Sequence, residues 1–388
     1  MYLWAALEEL RLGGDFGLDG QVINQMIAAF PNKLEALFEQ VLDRIEGEVE
    51  EFCGEHHEVG VKNRLALGYN RHSVTGHPGH PEQISGRYLV QHVMSLLACS
   101  RNGLYEADML QMICPPGWPH GESLPTVVWS RIYHAFEMYL RRRNQRDHGI
   151  ISFSQRGFVR AVRRRYMGTK ENQHGIGRKM YKELADFMLE ISGAKNYEHG
   201  KPVFKASDAA NRRHSVTAFV DVPYYQIRAL DIAGMRDETL GNLAYVEMCA
   251  RLASSEQHGD LLADLIHNYR SALESIRTAK QIELRPYLES AGTTRREVLW
   301  WLKGMLDFVT QQQHTLARAP LLTLQLALQE LDDSAAHVWA KEIILMEQLD
   351  SLEDKKTKNR ASRRVGSSSA GTSARSTGTH LHHFLYCR

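Results

Sequence analysis

Ile150-Ile151-Ser152-Phe153-Ser154-Gln155-Arg156-Gly157-Phe158-Val159-Arg160-Ala161-Val162-Arg163-Arg164-Arg165-Tyr166 changes its period in the middle. Three of the first four residues are apolar, two of them β-branched and one aromatic, and the four read as a strand. Phe158, Val159, Val162 and Tyr166 then recur at helical spacing, with Ser154 placed to cap the helix. Upstream, Tyr88 to Leu97 predicts a helix that stops at Ser100-Arg101-Asn102-Gly103, where Gly103 suits a left-handed cap. Glu106 to Ile113 predicts a short helix ended by Pro115-Pro116, and Thr126 to Leu140 predicts another, with Ile132, Phe136 and Leu140 four apart. Helix, helix, helix, strand, helix over residues 86–170 predicts a winged-helix-like element.

On its N-terminal side, Leu3, Ala6, Leu7 and Leu10 share a helical face that Gly13-Gly14 ends. From Pro31, a second stripe of Leu34, Leu37, Phe38, Val41, Leu42 and Ile45 leaves Glu35, Glu39 and Asp43 facing water. Met1 to Leu10 has the pattern of a helix interior with no cap before it, which predicts a chain beginning mid-domain, as a truncated gene model or an isoform. Residues 1–53 are thus a helical segment. Residues 54–85, with His56, His57, His72, His77 and His80 among Pro and Gly, predict a flexible loop.

From Arg178 onward only helices are predicted: Met180 to Ile191, Ala218 to Ala233, Glu238 to Ala253, Leu261 to Ile276, Arg295 to Gln313 and Leu321 to Leu352. They make residues 171–354 a helical, repeat-like array. Residues 355–388 reduce to Ser, Thr, Gly, Arg and Lys, which cannot bury enough apolar surface to offset ordering entropy, and predict a disordered basic tail. The fold class is mainly α.

The chain has 388 residues, 43% hydrophobic, with 47 Lys and Arg against 46 Asp and Glu. No global field therefore draws it to nucleic acid or a membrane. Cys53, Cys99, Cys114, Cys249 and Cys387 are widely spaced and read as reduced thiols of a cytoplasmic protein. No signal peptide or membrane-length apolar run is visible.

Catalytic, cofactor and metal assignments are all none. The histidines of residues 54–85 with Cys53, and His380, His382, His383 and Cys387, match no zinc spacing and read as solvated segments. Glu8-Glu9 and Asp332-Asp333 are adjacent carboxylates on amphipathic helices and read as solvated faces, while Trp300-Trp301 reads as core. The strongest local charge signal is nine arginines against one aspartate between Arg141 and Arg165. Arg156, Arg160, Arg163 and Arg164 lie opposite the Phe158, Val162 and Tyr166 face and form the candidate docking face. It fits a solvated surface, a site for an acidic partner or a nucleotide-binding core, or a nucleic-acid contact.

The motif order carries a resemblance. Leu3-Trp4-Ala5-Ala6-Leu7-Glu8-Glu9-Leu10-Arg11, then Leu37-Phe38-Glu39-Gln40-Val41-Leu42-Asp43-Arg44-Ile45-Glu46, then Ser100-Arg101-Asn102-Gly103-Leu104-Tyr105-Glu106 succeed one another. Trp129-Ser130-Arg131-Ile132, the Phe158 to Tyr166 pattern, Tyr181-Lys182-Glu183-Leu184 and Pro223-Tyr224-Tyr225-Gln226 keep the order. Together they resemble the region C-terminal to the NTPase core in NACHT-type STAND NTPases, the group of nephrocystin and telomerase-associated protein relatives, over Met1 to Leu273, with residues 1–53 resembling the C-terminal helices of an NTPase-core remnant. Gln155, where these relatives carry His, and Val222, where they carry Leu, depart from the pattern. The resemblance implies a non-catalytic regulatory and protein-interaction arm, a signalling scaffold or adaptor, whose partners are proteins and a nucleotide-binding core. A nucleic-acid-binding protein using the Arg-rich element is the alternative. No G-x-x-x-x-G-K-[ST] occurs, and Gly168 to Lys179 has the wrong spacing, so ATP hydrolysis would need an upstream core.

Overall fold

The change of period at Ser154 falls where the strand β3 (Ile150–Phe153) gives way to helix α7 (Arg156–Tyr166) in the computed structural model. The structure describes residues 2–14, 20–66, 86–113, 126–142, 149–168, 173–192, 197–198, 201–202, 209–253, 261–345 and 348. Residues 67–85, most of the predicted loop, and the tail 355–388 lie outside them. The chain is mainly helical and divides into two units, Met1–Thr323 and Leu324–Arg388. Among the described residues, no helix is long and apolar enough to cross a membrane.

The first unit opens with α1 (Tyr2–Gly14), α2 (Gly20–Ala29) and α3 (Leu34–Ala66). Helix α2 was not predicted, and α3 starts after Pro31 and runs on through Ala66, so residues 54–66 are helical where a loop was expected. The apolar stripe of α3 is buried beyond Leu34: Leu37, Phe38, Val41, Leu42 and Ile45 are fully covered. Helix α1 buries only Ala6 of its predicted face. Leu3 and Leu7 are exposed, and Ala5, Ala6, Glu8 and Glu9 face inward. The small alanines let α1 come close, and Glu9 is held by Arg44 through hydrogen bonds of 2.7 and 2.9 Å, with the Tyr139 hydroxyl donating at 3.4 Å. Glu8 accepts from Arg11 at 2.7 Å. The solvated-face reading of Glu8-Glu9 is therefore corrected: a bidentate guanidinium supplies the compensation that a buried carboxylate needs.

Next come α4 (Gly86–Cys99), β1 (Leu104–Tyr105), α5 (Glu106–Met112), α6 (Thr126–Phe136), a 3-10 turn (Glu137–Tyr139), β2 (Leu140–Arg142), β3 and α7. The strands form an antiparallel sheet in the order β1-β3-β2, with Leu104 opposite Ile151 and Leu140 opposite Phe153. Gly103 is required at the entry to β1. Its φ is +95°, and an added Cβ would lie 2.5 Å from the Ile151 carbonyl oxygen. Ser154 does not cap α7. Its hydroxyl donates to the Tyr139 carbonyl at 3.0 Å, and Gln155 occupies the cap position without a side-chain bond. Phe158 is the centre of the core here, stacked on Tyr139 at 4.5 Å and edge-on to Phe38 at 5.3 Å and Phe153 at 5.6 Å.

The remainder of the unit comprises α8 (Gln173–Ile191), the short pair β4 (Tyr197–Glu198) and β5 (Lys201–Pro202), α9 (Ala209–Ala229), α10 (Ile232–Asp237), α11 (Leu243–Ala253), α12 (Leu261–Thr278), α13 (Gln281–Ser290) and α14 (Arg295–Arg318). Helices α8 and α9 pack along each other, as do α12 and α14. The helix predicted from Ala218 to Ala233 divides, and the one predicted from Glu238 begins only at Leu243. Leu230, at φ +56°, ends α9, and Asp231 caps α10 by accepting from the Gly234 amide at 3.2 Å. The Thr239 to Asn242 turn then separates α10 from α11, and the Tyr269 hydroxyl donates to the Leu240 carbonyl at 2.6 Å to hold that turn on α12. Trp301 is core, while Trp300 remains half exposed.

A 3-10 turn (Pro320–Leu322) leads into α15 (Thr323–Gln329), which reaches into the second unit. In that unit the single helix predicted from Leu321 to Leu352 is also broken. Leu331 to Ser334 form a turn, and the Ser334 hydroxyl accepts from the His337 amide at 3.2 Å as α16 (335–345) begins.

Candidate functional site

Helix α7 presents five arginines and one tyrosine in eleven residues, and its C-terminal half is consumed inside the chain. Arg163 donates from Nε and Nη2 to the Ala98 carbonyl, at 3.2 and 2.6 Å, closing a carbonyl in the last turn of α4. Arg164 pairs with Glu39. Arg165 is bidentate on Glu46 at 2.8 and 2.9 Å and also reaches Asp43 at 2.6 Å, while the Tyr166 hydroxyl donates to Glu46 at 2.6 Å. Glu39, Asp43 and Glu46 are spaced four and three apart, which sets them along one edge of α3. Glu39 and Asp43 therefore do more than face water. The hydrogen bond to Glu46 holds the Arg165 guanidinium charged against partial burial, and burial together with Glu46 pushes the Tyr166 phenol far above its ordinary range.

The strengths of these contacts differ. Arg164 and Glu39 are both well exposed, so their pair contributes ~0–1 kcal/mol. Arg165 and Glu46 are mostly covered and share a bidentate geometry reinforced by Tyr166, which places them nearer the ~1.5–3 kcal/mol of hydrogen bonds to charged groups. The predicted face of Arg156, Arg160, Arg163 and Arg164 is thus split. Arg163 and Arg164 bind α4 and α3, whereas Arg156 and Arg160 are exposed and have no ion-pair partner among the described residues. Arg165, Tyr166 and Glu46 form the strongest part of the seam and were missed. The one available signal was three consecutive arginines facing an acidic row at helical spacing.

Helix α4 is joined on its other side to α8, α9 and α12. His92, buried, lies 2.9 Å from Glu183 of α8 and 3.1 Å from the Tyr88 hydroxyl. The Arg101 amide donates to the Tyr225 hydroxyl at 3.3 Å, and its guanidinium donates to Asp221 at 3.1 Å and lies 3.9 Å from Asp264. Burial raises the Asp221 carboxyl above the usual carboxylate range even though Arg101 pulls it down. Cys99 and Cys249 are buried free thiols, each pushed up to about 12 by burial. The histidine clusters lie on residues outside the described set or with undescribed side chains. Among the described residues no three His, Cys, Asp or Glu side chains are grouped to hold a metal.

The chain also shows a likeness to a known protein. Over 259 residues the chain is 26% identical to the human NACHT domain- and WD repeat-containing protein 1. The match covers 58% of this chain and 16% of that protein, so the chain spans about a sixth of its relative's length. No family model and no solved structure matches the chain. The similarity relates the chain to part of a NACHT-containing protein, in agreement with the motif order from Leu3 to Gln226.

Proposed function

We propose that this chain is a non-catalytic regulatory and protein-interaction arm of a NACHT-type STAND NTPase, acting in the cytoplasm as a scaffold that links a nucleotide-binding core to protein partners. The seam of α7 against α3 is the observation that carries this reading. An Arg-rich element clamped on an acidic helix by partly exposed ion pairs is a contact that competing charges can open, as a two-state switch requires. The order α4-β1-α5-α6-β2-β3, with β3 between β1 and β2, supports a winged-helix-like element for residues 86–170. Helix α6 carries a single arginine and no lysine and packs against α3, with Arg131 over the Phe52 ring at 5.8 Å, which favours protein docking over groove reading.

The test is nucleotide-dependent association. The purified chain is titrated with the isolated NACHT domain of the human relative, loaded with ADP or with a non-hydrolysable ATP analogue. The reading requires an affinity that differs between the two states and changes on Arg164→Glu with Arg165→Glu. Exposed Arg156 and Arg160 favour one second reading, nucleic-acid binding. Nucleic-acid affinity that falls steeply with salt and is lost on Arg156→Glu with Arg160→Glu, without NACHT association, would replace the first reading by the second.

A further inference from the structure

Helices α9 and α12 and the turn after α4 enclose a cleft of about 680 Å³. Its lining includes two exposed arginines and the side chain of Asn268. Arg228 and Arg270 are exposed and have no ion-pair partner among the described residues, and both open on the cleft. Asn268 is only 4% exposed, lines the same cleft, and its carboxamide makes no hydrogen bond to any described residue. The carboxamide is not shut off from the cleft, so a ligand there can take up its donor and its acceptor. A second cavity of about 330 Å³ shares Arg270 and Glu274 and adds Arg277, Lys303 and Asp307, so the charged lining continues from α12 to α14.

We propose that this cleft binds an extended acidic peptide segment of a partner protein. A side-chain carboxamide presents a donor and an acceptor side by side, the complement of a peptide unit's C=O and N–H, so Asn268 pairs with the main chain. Arg228 and Arg270 offer guanidinium forks to carboxylates on either side of it. Nucleic acid suits the cleft less well. The Tyr224 ring, which would stack a base, already has the Arg101 and Arg228 guanidinium groups over it at 5.6 Å each. This inference rests on the protein-interaction half of the proposed function, and uses none of the residues of the α7–α3 seam.

The full chain is probed on a membrane array of short peptides graded from strongly acidic to strongly basic, and the best binder is then titrated by fluorescence anisotropy. Bound peptides are rich in Asp and Glu, and Arg228→Glu with Arg270→Glu weakens binding about tenfold or more. Methylating main-chain nitrogens of the peptide weakens binding to the native chain but adds no further loss on Asn268→Ala. Arg228→Gln with Arg270→Gln replaces the reversal if circular dichroism shows that the latter unfolds. The proposal is overturned if no peptide binds, if binding ignores peptide charge or the arginine substitutions, or if a single-stranded oligonucleotide of equal charge binds more tightly through the same arginines. NACHT association measured on these variants separates the two ideas. Its retention alongside a lost or absent peptide site removes this inference alone, and its absence alongside peptide binding removes only the NTPase reading.

Discussion

Cys99 and Cys249 show how little a thiol's identity says before its surroundings are known. Widely spaced cysteines identified both as free, but their reactivity depends on burial, which pushes each thiol up to about 12. At pH 8 the thiolate fraction is then on the order of one in ten thousand. Iodoacetamide at that pH is expected to leave both thiols unmodified in the folded chain and to label both in urea, as peptide mass mapping would read. Rapid native labelling of either would contradict the packing around it. Asp231 and Gly234 make a similar point about caps. The helix predicted from Ala218 to Ala233 runs through Asp231 because Ile232 and Ala233 continue its apolar pattern, and nothing local announces that Leu230 turns to φ +56°. An added Cβ on Gly234 would lie 2.3 Å from Asp231 Oδ2 and 2.7 Å from Gln226 Nε2. Gly234→Ala should therefore displace the cap and cost ~1–2 kcal/mol in urea unfolding, against the gain of a few tenths to ~1 kcal/mol that Gly→Ala gives at a tolerant helical site.

Elements were legible where one face repeats and illegible where they are short or where proline intrudes. Helices α4, α7, α12 and α14 obey their apolar periods. Strands β1 and β2, of two and three residues, are too brief to alternate, and α13 was passed over because Pro286 stands inside it. The seam between α7 and α3 could not be read at all, since its partners are 119 to 125 residues apart. The arginines and the acids were each visible along the chain, and only folding matched them. A pair of double-mutant cycles measures the match. Arg165 with Glu46 should show a coupling of ~1.5–3 kcal/mol in denaturant unfolding, and Arg164 with Glu39 ~0–1 kcal/mol. Equal couplings in the two cycles would remove the argument that partial burial concentrates the seam on Arg165 and Tyr166.

At the scale of the whole first unit, α4 joins the α3–α7 seam to helices α8, α9 and α12, and Arg101 is the most exacting part of that joint. Its guanidinium is the nearest cation to Asp221, a residue only 7% exposed whose carboxyl is already raised by burial. Arg101→Ala leaves that carboxylate without its counter-charge, and breaking such a pair costs ~3–5 kcal/mol when both groups are fully buried, less here because Arg101 is a quarter exposed. The cost depends on pH in a definite direction. An aspartate whose folded pKa lies above its unfolded value keeps a proton that the unfolded chain has released. Stability is then highest below the unfolded value, falls as pH rises between the two values, and stays at its lower level above the folded one. Removing Arg101 raises the folded value further and widens that window upward. The variant should thus lose more stability relative to the native chain at pH 7 than at pH 5, measured as the difference in urea midpoints. Adding Asp221→Asn, which keeps the shape and removes the charge, should flatten that difference and restore part of the loss. A deficit equal at both pH values and unchanged by Asp221→Asn would mean that Arg101 acts through its packing on Tyr224 and Tyr225, and that the joint between α4 and α9 is held by contact rather than by charge.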